Sequence, residues 1–407
     1  MRFVTPLTQG FAEGRKRKNM KTLLETCDLV TNFYTYEGVV KALNKVSMVI
    51  NHGETLGLVG ESGCGKSVTV RSIMRIVQEP GRIEDGKVIF FLDEETQRKG
   101  IDLLKQSEAF MEQLRGDRMS MIFQEPNAAL NPTLSIGEQV SESFLFHRKR
   151  EMYQKILDDL SSPECRVFPP LKRLELFLYR TAVRNPGAWT LKFFSQIPFF
   201  KRWQKRLKQE AMRRSIEIIG KLGIPHPVEV ADQYPHHLSG GMKQRIVIAI
   251  ALACNPVVLI ADEPTSNLDV TIQAQILDLL RRLKEETISS ILFITHDLGV
   301  VAEICDRVGV MYAGNLCEVA DAQEIFCNPV HPYTKALLDS VPKLSTKEIL
   351  KSIEGSVPNL VSPPSGCRFH PRCPYVMDGC RSELPALLEF SKNHFVACHL
   401  VGRNAAV

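Results

Sequence analysis

The chain has 407 residues, a formal net charge of +5 and an apolar fraction of 44%. This length suits two or three domains, and the apolar fraction is normal for a protein that buries a substantial core. No apolar run is long enough to span a bilayer, and residues 1–20 are polar, unlike a secretory signal. Eleven cysteines, an odd number, without such a signal predict a reducing compartment, so we expect a cytoplasmic protein.

Short strands and turns follow residue 20, and helices then alternate with β-rich runs. A helix is predicted over Ser67–Val77, with Pro80-Gly81 beyond its end. This alternation predicts an α/β fold with a mostly parallel sheet covered by helices. The other predicted helices are Ser135–Phe146 and Met212–Leu222, and the predicted strands are Thr22–Asp28, Val46–Ile50, Thr55–Val59, Val88–Leu92, Met119–Phe123, Val257–Ala261 and Ser290–Thr295.

A phosphate-binding motif lies between the strand Thr55–Val59 and the following helix. Its glycines allow backbone N–H groups to face phosphate oxygens, and the start of the helix adds positive potential. Lys66 is placed to reach the terminal phosphates and Ser67 to offer its hydroxyl to Mg²⁺. The probability that this motif occurs by chance in a chain of this length is about one per cent. A glycine-rich turn that binds no ligand is therefore a poor alternative interpretation. The motif reads Gly60-Glu61-Ser62-Gly63-Cys64-Gly65-Lys66-Ser67.

Two adjacent carboxylates follow the strand Val257–Ala261. Asp262 is placed to hold the Mg²⁺ shell, and Glu263 to polarise the attacking water as a general base. Acidic residues that follow a strand are commonly only exposed to solvent, so this pair alone is weak evidence for a catalytic site. It becomes strong evidence because the phosphate-loop motif is also present. Together the two motifs predict a nucleoside triphosphate site.

A third motif separates this chain from kinases and GTPases. The segment Leu238-Ser239-Gly240-Gly241-Met242-Lys243-Gln244-Arg245 resembles the signature of the ATP-binding-cassette ATPases. In that family the serine and glycines begin a helix whose N-terminus faces the γ-phosphate of a nucleotide held by the partner subunit. Many helices begin with a capping serine, so this feature alone does not indicate a function. The position of the segment before the strand that ends in Asp262-Glu263, however, is the position that the signature has in the family.

The resemblance implies further site residues. Gln124, after the strand Met119–Phe123, looks like the family's glutamine that contacts Mg²⁺ or water and senses the membrane subunits. His296 looks like the histidine that contacts the γ-phosphate, and Tyr36 is expected to stack on adenine, with Phe33 and Tyr34 as near alternatives. Ser266-Asn267-Leu268-Asp269 resembles the dimer-contacting loop, with Asn267 replacing the usual alanine. The resemblance thus assigns ATP and Mg²⁺ to Tyr36, Gly60, Glu61, Ser62, Gly63, Cys64, Gly65, Lys66, Ser67, Val68, Gln124, Ser239, Gly240, Gly241, Asp262, Glu263, Asp269 and His296.

Other segments narrow the resemblance to the dipeptide, oligopeptide and nickel importer ATPases. They are Phe123-Gln124-Glu125-Pro126, Leu130-Asn131-Pro132, Tyr234-Pro235-His236-His237, Met311-Tyr312-Ala313-Gly314 and Asn328-Pro329-Val330-His331-Pro332-Tyr333-Thr334. This group implies an ATPase that energises peptide uptake from the cytoplasmic face of a bacterial inner membrane. The expected partners are a second cassette ATPase, two permease subunits and an extracytoplasmic peptide-binding protein.

Two alternative functions are weighed against peptide import. A nickel or other small-solute importer of the same family stays open, because the cassette does not touch the transported substrate. A soluble cassette ATPase in translation or DNA repair belongs to another class. Such translation factors usually carry two cassettes and such repair proteins long coiled coils, and neither is visible in the sequence, so we expect no nucleic-acid partner.

The resemblance also predicts the fold class and domain boundaries. We expect a RecA-like phosphate-loop ATPase core with an antiparallel β subdomain and a helical subdomain, plus a small cysteine-rich C-terminal extension. Residues 1–20 form a polar tail, 21–328 the cassette and 329–407 the extension. The helical subdomain covers about 125–240 and contains a basic, aromatic insertion at about 148–212.

Four late cysteines suggest a bound metal. Cys367, Cys373, Cys380 and Cys398 lie within 32 residues, and four thiolates suit zinc or an iron–sulfur cluster. The close Cys-x-x-Cys pairs of zinc ribbons are missing, which favours iron–sulfur. The extension of this family also resembles a 4Fe–4S-binding module. Four free thiols in a small core are the alternative.

The insertion differs in composition from the rest of the chain. Between Arg148 and Arg214 there are 17 basic and 6 acidic residues, and 10 of the 30 aromatic residues, including Trp189 and Trp203. One hypothesis is an arm that rests on anionic lipid or on a membrane subunit, because Leu174–Tyr179 and Phe193–Trp203 mix aromatic and cationic residues. Nucleic-acid binding is a second interpretation. We favour a third, a helical elaboration with a solvated basic face.

Overall fold

The computed structural model describes residues 21–92, 100–162, 169–185, 202–266, 268–286, 290–340 and 353–404. The chain divides into two compact units. The first comprises Met1–Met111, Val257–Ser266 and Leu280–Val407, and the second comprises Glu112–Pro256 and Asn267–Leu279. The predicted tail at 1–20 lies outside the described residues. The predicted boundaries at 21, 125, 240 and 329 stay predictions.

The strands are β1 Thr22–Thr35, β2 Gly38–Asn51, β3 Thr55–Val59, β4 Gly81–Phe90, β5 Ile101–Asp102, β6 Met119–Ile122, β7 Val258–Asp262, β8 Ser290–Ile294, β9 Arg307–Tyr312, β10 Asn315–Asp321, β11 Leu388–Ser391 and β12 His394–Val396. The helices are α1 Lys66–Ile73, α2 Glu108–Leu114, α3 Pro126–Ala129, α4 Ile136–His147, α5 Lys149–Ser161, α6 Pro169–Arg184, α7 Arg202–Lys221, α8 Pro227–Asp232, α9 Gly240–Leu252, α10 Val270–Glu286, α11 Leu298–Ile304, α12 Ala322–Cys327, α13 Pro332–Asp339, α14 Asp378–Ser382 and α15 His399–Asn404.

An antiparallel sheet of the first unit has the strand order β2-β1-β4-β5. A long hairpin joins β1 to β2, and its register runs from Thr22 opposite Asn51 to Thr35 opposite Gly38. The leucines of β1 are fully buried, including Leu24 and Leu29. Both strands of the hairpin are longer than predicted, because pairing between β1 and β2 extends each strand beyond the segment that its own sequence indicates.

The second sheet of this unit has a parallel centre. β3 lies between β8 and β9 and runs parallel to both, and β7 runs parallel to β8. Every residue of β3, β7 and β8 is buried, as expected for strands covered on both faces. β10, β12 and β11 continue from β9 in antiparallel pairing. The carboxyl ends of β3, β7 and β8 therefore share one edge of the sheet.

The second unit is mainly helical. α4 packs against α7, and α5 packs against α6. Ser135 begins α4 with a reciprocal capping box, in which its hydroxyl accepts from the Glu138 N–H and the Glu138 carboxylate accepts from the Ser135 N–H. α4 buries Ile136, Val140 and Phe144, which matches the predicted helix Ser135–Phe146.

The described part of the insertion forms helices α5, α6 and the start of α7. Tyr179 and Leu178 are almost fully buried, and the Tyr153 and Tyr179 rings lie 5.9 Å apart. A buried Glu175 pairs with Arg206 at 3.1 Å. This packing supports the helical elaboration for Leu174–Tyr179. Residues 163–168 and 186–201, with Trp189 and most of Phe193–Trp203, lie outside the described residues, so the membrane hypothesis stays a prediction.

Across the helices that the structure describes, none combines the length and the apolar character needed to cross a bilayer.

Candidate functional site

The phosphate loop joins β3 to α1 in a backbone conformation that requires glycine. Gly65 has a φ of +106°, and a Cβ there would lie 2.9 Å from the carbonyl oxygen of Ala42. A Cβ on Gly60 would collide with the carbonyl oxygen of Met311. Side chains at these positions would therefore either strain the backbone or displace neighbouring main chain.

Lys66 holds its ammonium group inside this loop. The side chain is nearly buried, and Nζ donates to the carbonyl oxygens of Gly60 at 2.8 Å and of Glu61 at 3.0 Å. Lys66 is also the first residue of α1, so its charge lies at the end of the helix where free N–H groups attract anions. The loop thus places a cation at the start of α1, where an anion can bind.

Ser67 and Asp262 meet at the carboxyl end of β7. The Ser67 hydroxyl donates to Asp262 Oδ1 at 2.9 Å, and Asp262 is 1% exposed. Burial raises the pKa of the Asp262 carboxyl, and the Ser67 hydrogen bond opposes that rise. A hydroxyl and a carboxylate are oxygen ligands of the kind that Mg²⁺ prefers, and both are in place beside Lys66.

Glu263 and His296 form a second pair at the same edge. His296 Nδ1 lies 3.2 Å from Glu263 Oε1, and the Glu263 side chain is 15% exposed while that of His296 is 60% exposed. Glu263 has a φ of +47°, which is uncommon for a residue with a Cβ, and its N–H donates to the carbonyl of Ile294 at 2.9 Å. Such constrained geometry clusters at functional sites, and here it turns the carboxylate towards the histidine.

Tyr36 lies in the turn between β1 and β2 and is 98% exposed. Tyr34 is already engaged, because its hydroxyl donates to Glu84 at 2.8 Å and the Arg82 guanidinium lies over its ring. Phe33 packs against Gly81. Of the three aromatic candidates, Tyr36 is the one that offers an open ring face for adenine.

The signature segment lies in the second unit. Ser239 caps α9, and its Oγ accepts from the Met242 N–H at 3.3 Å. Both Ser239 and Gly240 are exposed, and a Cβ on Gly240 would meet no atom within 4 Å. Gly241 packs closely on Ile272. The start of a 13-residue helix is therefore open for an anion.

Gln124 and Asp269 also belong to the second unit. Gln124 follows β6 and is exposed. Asp269 precedes α10, and its carboxylate accepts from the Ile272 N–H at 3.0 Å. Asn267 lies outside the described residues. The structure thus brings the phosphate loop, Asp262, Glu263 and His296 together in one unit and places Gln124, Ser239 and Asp269 in the other.

Contacts to Glu61 of the phosphate loop were missed by sequence reasoning. The Glu61 N–H donates to the Tyr333 hydroxyl at 3.0 Å, and Arg372 pairs with the Glu61 carboxylate at 2.8 Å. Both partners come from the last 80 residues, more than 270 positions after Glu61. Pro371-Arg372 directly precedes Cys373 in the sequence, but no sequence motif indicates that Arg372 contacts the phosphate loop.

The four late cysteines line one small cavity, together with His370 and His399. All four are free thiols, and Cys380 is buried. Burial raises the pKa of the Cys367 thiol to about 11, and the neighbouring cysteines add to the rise. Within the described residues, no three His, Cys, Asp or Glu side chains already stand as a metal-ligand group. The predicted metal therefore stays a prediction.

Comparisons with known proteins assign this chain to a family. The ABC transporter family profile matches residues 43–266, and the profile of the oligopeptide/dipeptide transporter C-terminal region matches 317–380. The dipeptide transport ATP-binding protein DppD of Bacillus subtilis is 40% identical, with 95% of this chain and 97% of that protein covered. The oligopeptide transport ATP-binding protein AppD of the same organism is 39% identical, with 95% and 99% covered.

Solved structures confirm the cassette fold. The dimeric post-hydrolysis structure of the ATP-binding cassette MJ0796, bound to ADP and Pi, matches with a TM-score of 0.51 and 22% identity. It covers 74% of this chain and 99% of that cassette. With the two family matches, the predicted α/β cassette fold is confirmed, whereas the cysteine-rich character of the extension stays a prediction. The chain belongs to the ABC transporter family and is an ATP-hydrolysing subunit of that family.

Proposed function

We propose that this chain energises the import of di- and oligopeptides from the cytoplasmic face of a bacterial inner membrane. The observation that carries the proposal is the combination of a hydrolytic centre, Ser67, Asp262, Glu263 and His296, with a C-terminal region of the oligopeptide/dipeptide transporter type. The names of the similar Bacillus proteins support peptides as the substrate.

The proposed site divides the chemistry among named residues. Lys66 and the loop N–H groups hold the β- and γ-phosphates, Ser67 and Asp262 hold Mg²⁺, and Tyr36 stacks on adenine. Glu263 accepts the proton of the attacking water, and His296 keeps the Glu263 carboxylate in position and contacts the γ-phosphate. Gln124 reports to the membrane subunits, and Asp269 belongs to the dimer-contacting loop.

The open start of α9 implies that the site is completed by another subunit. Two cassettes close head-to-tail, and Ser239, Gly240 and Gly241 of each one face the γ-phosphate bound by the other. Closure does work on two permease subunits, which receive peptide from an extracytoplasmic binding protein. The second cassette is proposed to be a different chain, as in a heterodimer.

Uptake by cells tests this function. In cells lacking the chromosomal copy, wild-type chain is expected to restore uptake of a labelled dipeptide or tripeptide, and Lys66→Ala is expected to restore none. Purification of the tagged chain from solubilised membranes should bring two integral membrane subunits with it. Restoration of nickel uptake alone, or recovery of ribosomes or DNA in place of membrane subunits, would contradict peptide import.

We also propose that Cys367, Cys373, Cys380 and Cys398 hold a 4Fe–4S cluster. The support is that all four line one small, partly buried cavity, and four thiolates are the usual ligands of such a cluster. When bound, the cluster would tie together segments separated by up to 31 positions along the chain.

Metal content tests this proposal. Protein purified without oxygen is expected to contain about four irons and four sulfides per chain. Cys373→Ser should lose them, while Cys327→Ser should keep them, because Cys327 is exposed and lies outside the cavity. One zinc per chain, or no metal in freshly prepared protein, would refute the cluster.

A further inference from the structure

The C-terminal extension reaches back to the phosphate loop through Arg372. Its guanidinium forms a two-pronged ion pair with Glu61, with Nη1 to Oε2 at 2.8 Å and Nη2 to Oε1 at 3.2 Å. The Arg372 side chain is 7% exposed and that of Glu61 22% exposed. Glu61 immediately follows Gly60 in the loop, so this pair is part of the phosphate site.

Every N–H donor of the Arg372 guanidinium has an acceptor. Besides the two bonds to Glu61, Nη1 donates to the Tyr312 hydroxyl at 3.3 Å, and Nη2 and Nε donate to the carbonyls of Ile353 and Glu354 at 3.2 and 2.9 Å. The guanidinium also lies over the Tyr312 ring. A guanidinium has five N–H donors in a fixed planar fork, and here all of them are used. The side chain is therefore held in one orientation.

Glu61 is held on its main chain as well. Its N–H donates to the hydroxyl of Tyr333, which is fully buried, and its carbonyl accepts from Lys66 Nζ. Tyr333 and Tyr312 pack together with ring centroids 4.6 Å apart, and Phe369 packs on both. The aromatic cluster that supports Arg372 thus also fixes the backbone of the loop.

We propose that Arg372 is a positioning residue for ATP binding, through which the C-terminal extension sets the affinity of the phosphate loop. Two effects act together. The two hydrogen bonds of the Arg372 guanidinium hold Glu61, and with it the start of the phosphate loop, in one position. The positive charge of the guanidinium also neutralises the Glu61 carboxylate, which would otherwise repel the triphosphate. Glu61 itself contributes its backbone to the phosphate site, so the ion pair acts on the nucleotide through the loop.

Removing Arg372 should therefore weaken ATP binding more than it slows hydrolysis. Charged hydrogen bonds of this kind typically change binding by about 10- to 100-fold. We expect Arg372→Ala to raise the Kd and the KM for Mg-ATP by that factor and to leave kcat at saturating ATP within about two-fold. Arg372→Lys should recover part of the loss, because an ammonium restores the charge but lacks the planar fork.

A double-mutant cycle with Glu61 separates positioning from general stability. Glu61→Gln removes the repelling charge, so Arg372→Ala should cost much less affinity in that background than in the wild type. Arg381→Ala is the matched control, because Arg381 is an exposed arginine of the same extension. Thermal unfolding is measured for each variant, so that loss of fold is distinguished from loss of affinity.

Two results would overturn the proposal. One is a folded Arg372→Ala variant with wild-type ATP affinity, and the other is an equal loss in the wild-type and Glu61→Gln backgrounds. The inference rests on ATP being bound by residues 60–68. Failure of the wild-type chain to bind Mg-ATP would count against the proposed site itself rather than against the role of Arg372.

Discussion

Glu263→Gln should reduce the rate of ATP hydrolysis by about 10²- to 10⁴-fold while ATP still binds. The amide has nearly the same shape as the carboxylate and keeps a partner for His296 Nδ1, which lies 3.2 Å away. It cannot accept the proton of the attacking water, so the chemical step fails and the binding site remains. Phosphate release and nucleotide affinity, measured on the same preparation, check both parts of this expectation.

A surface carboxylate provides the control for Glu263. Glu303 is an exposed residue of α11 that pairs with Arg281 at 2.9 Å. It belongs to none of the site motifs, and Glu303→Gln should hydrolyse ATP at the wild-type rate. Hydrolysis by Glu263→Gln at more than about a tenth of the wild-type rate would show that another group is the base.

Ser239→Glu should block hydrolysis of the nucleotide that the start of α9 faces in the assembled transporter, without weakening ATP binding to the isolated chain. The new carboxylate would lie at the open start of α9, where a phosphate of the partner's nucleotide is expected, and like charges repel. Loss of one such electrostatic contact typically costs about 10²- to 10³-fold in rate. Hydrolysis by the assembled transporter and ATP affinity of the isolated chain are the two measurements.

Ser135 offers a control for the loss of the helix cap that Ser239→Glu also causes. It also caps a helix of the second unit, through the capping box of α4, but no phosphate is expected there. Ser135→Ala should cost only stability, about 1 kcal/mol. The head-to-tail arrangement would be refuted by full-speed hydrolysis in a lone monomer carrying Ser239→Glu.

Strands buried on both faces were the elements that the sequence predicted best. β3 was predicted at its exact limits, and β7 and β8 to within one residue, because short apolar runs between helices admit few other structures. α1 was predicted to extend to Val77 but ends at Ile73, and β4 begins at Gly81 rather than Val88. The early start of β4 depends on pairing with β1, a partner that local sequence does not reveal.

The residues of the candidate site also fall into those that the sequence predicted and one that it did not. Loop glycines, Lys66, Asp262 and Glu263 occur in contiguous motifs, and the structure brings them together with His296 in one unit. Arg372 was missed because it contacts Glu61 across 311 positions of the chain. Such a contact forms only in the folded chain and follows no motif or spacing in the sequence, so sequence patterns do not predict it.

The extension also touches the hairpin that carries Tyr36. Lys41 N–H donates to the Leu360 carbonyl at 2.9 Å, and a Cβ on Gly38 would lie 2.7 Å from a methyl group of Val361. A shortened protein ending before residue 353 would thus expose both the hairpin edge and the Glu61 carboxylate to water. Crystallisation or kinetic work on such a shortened protein would describe a phosphate loop without its ion pair to Arg372 and a hairpin without its contacts to the extension.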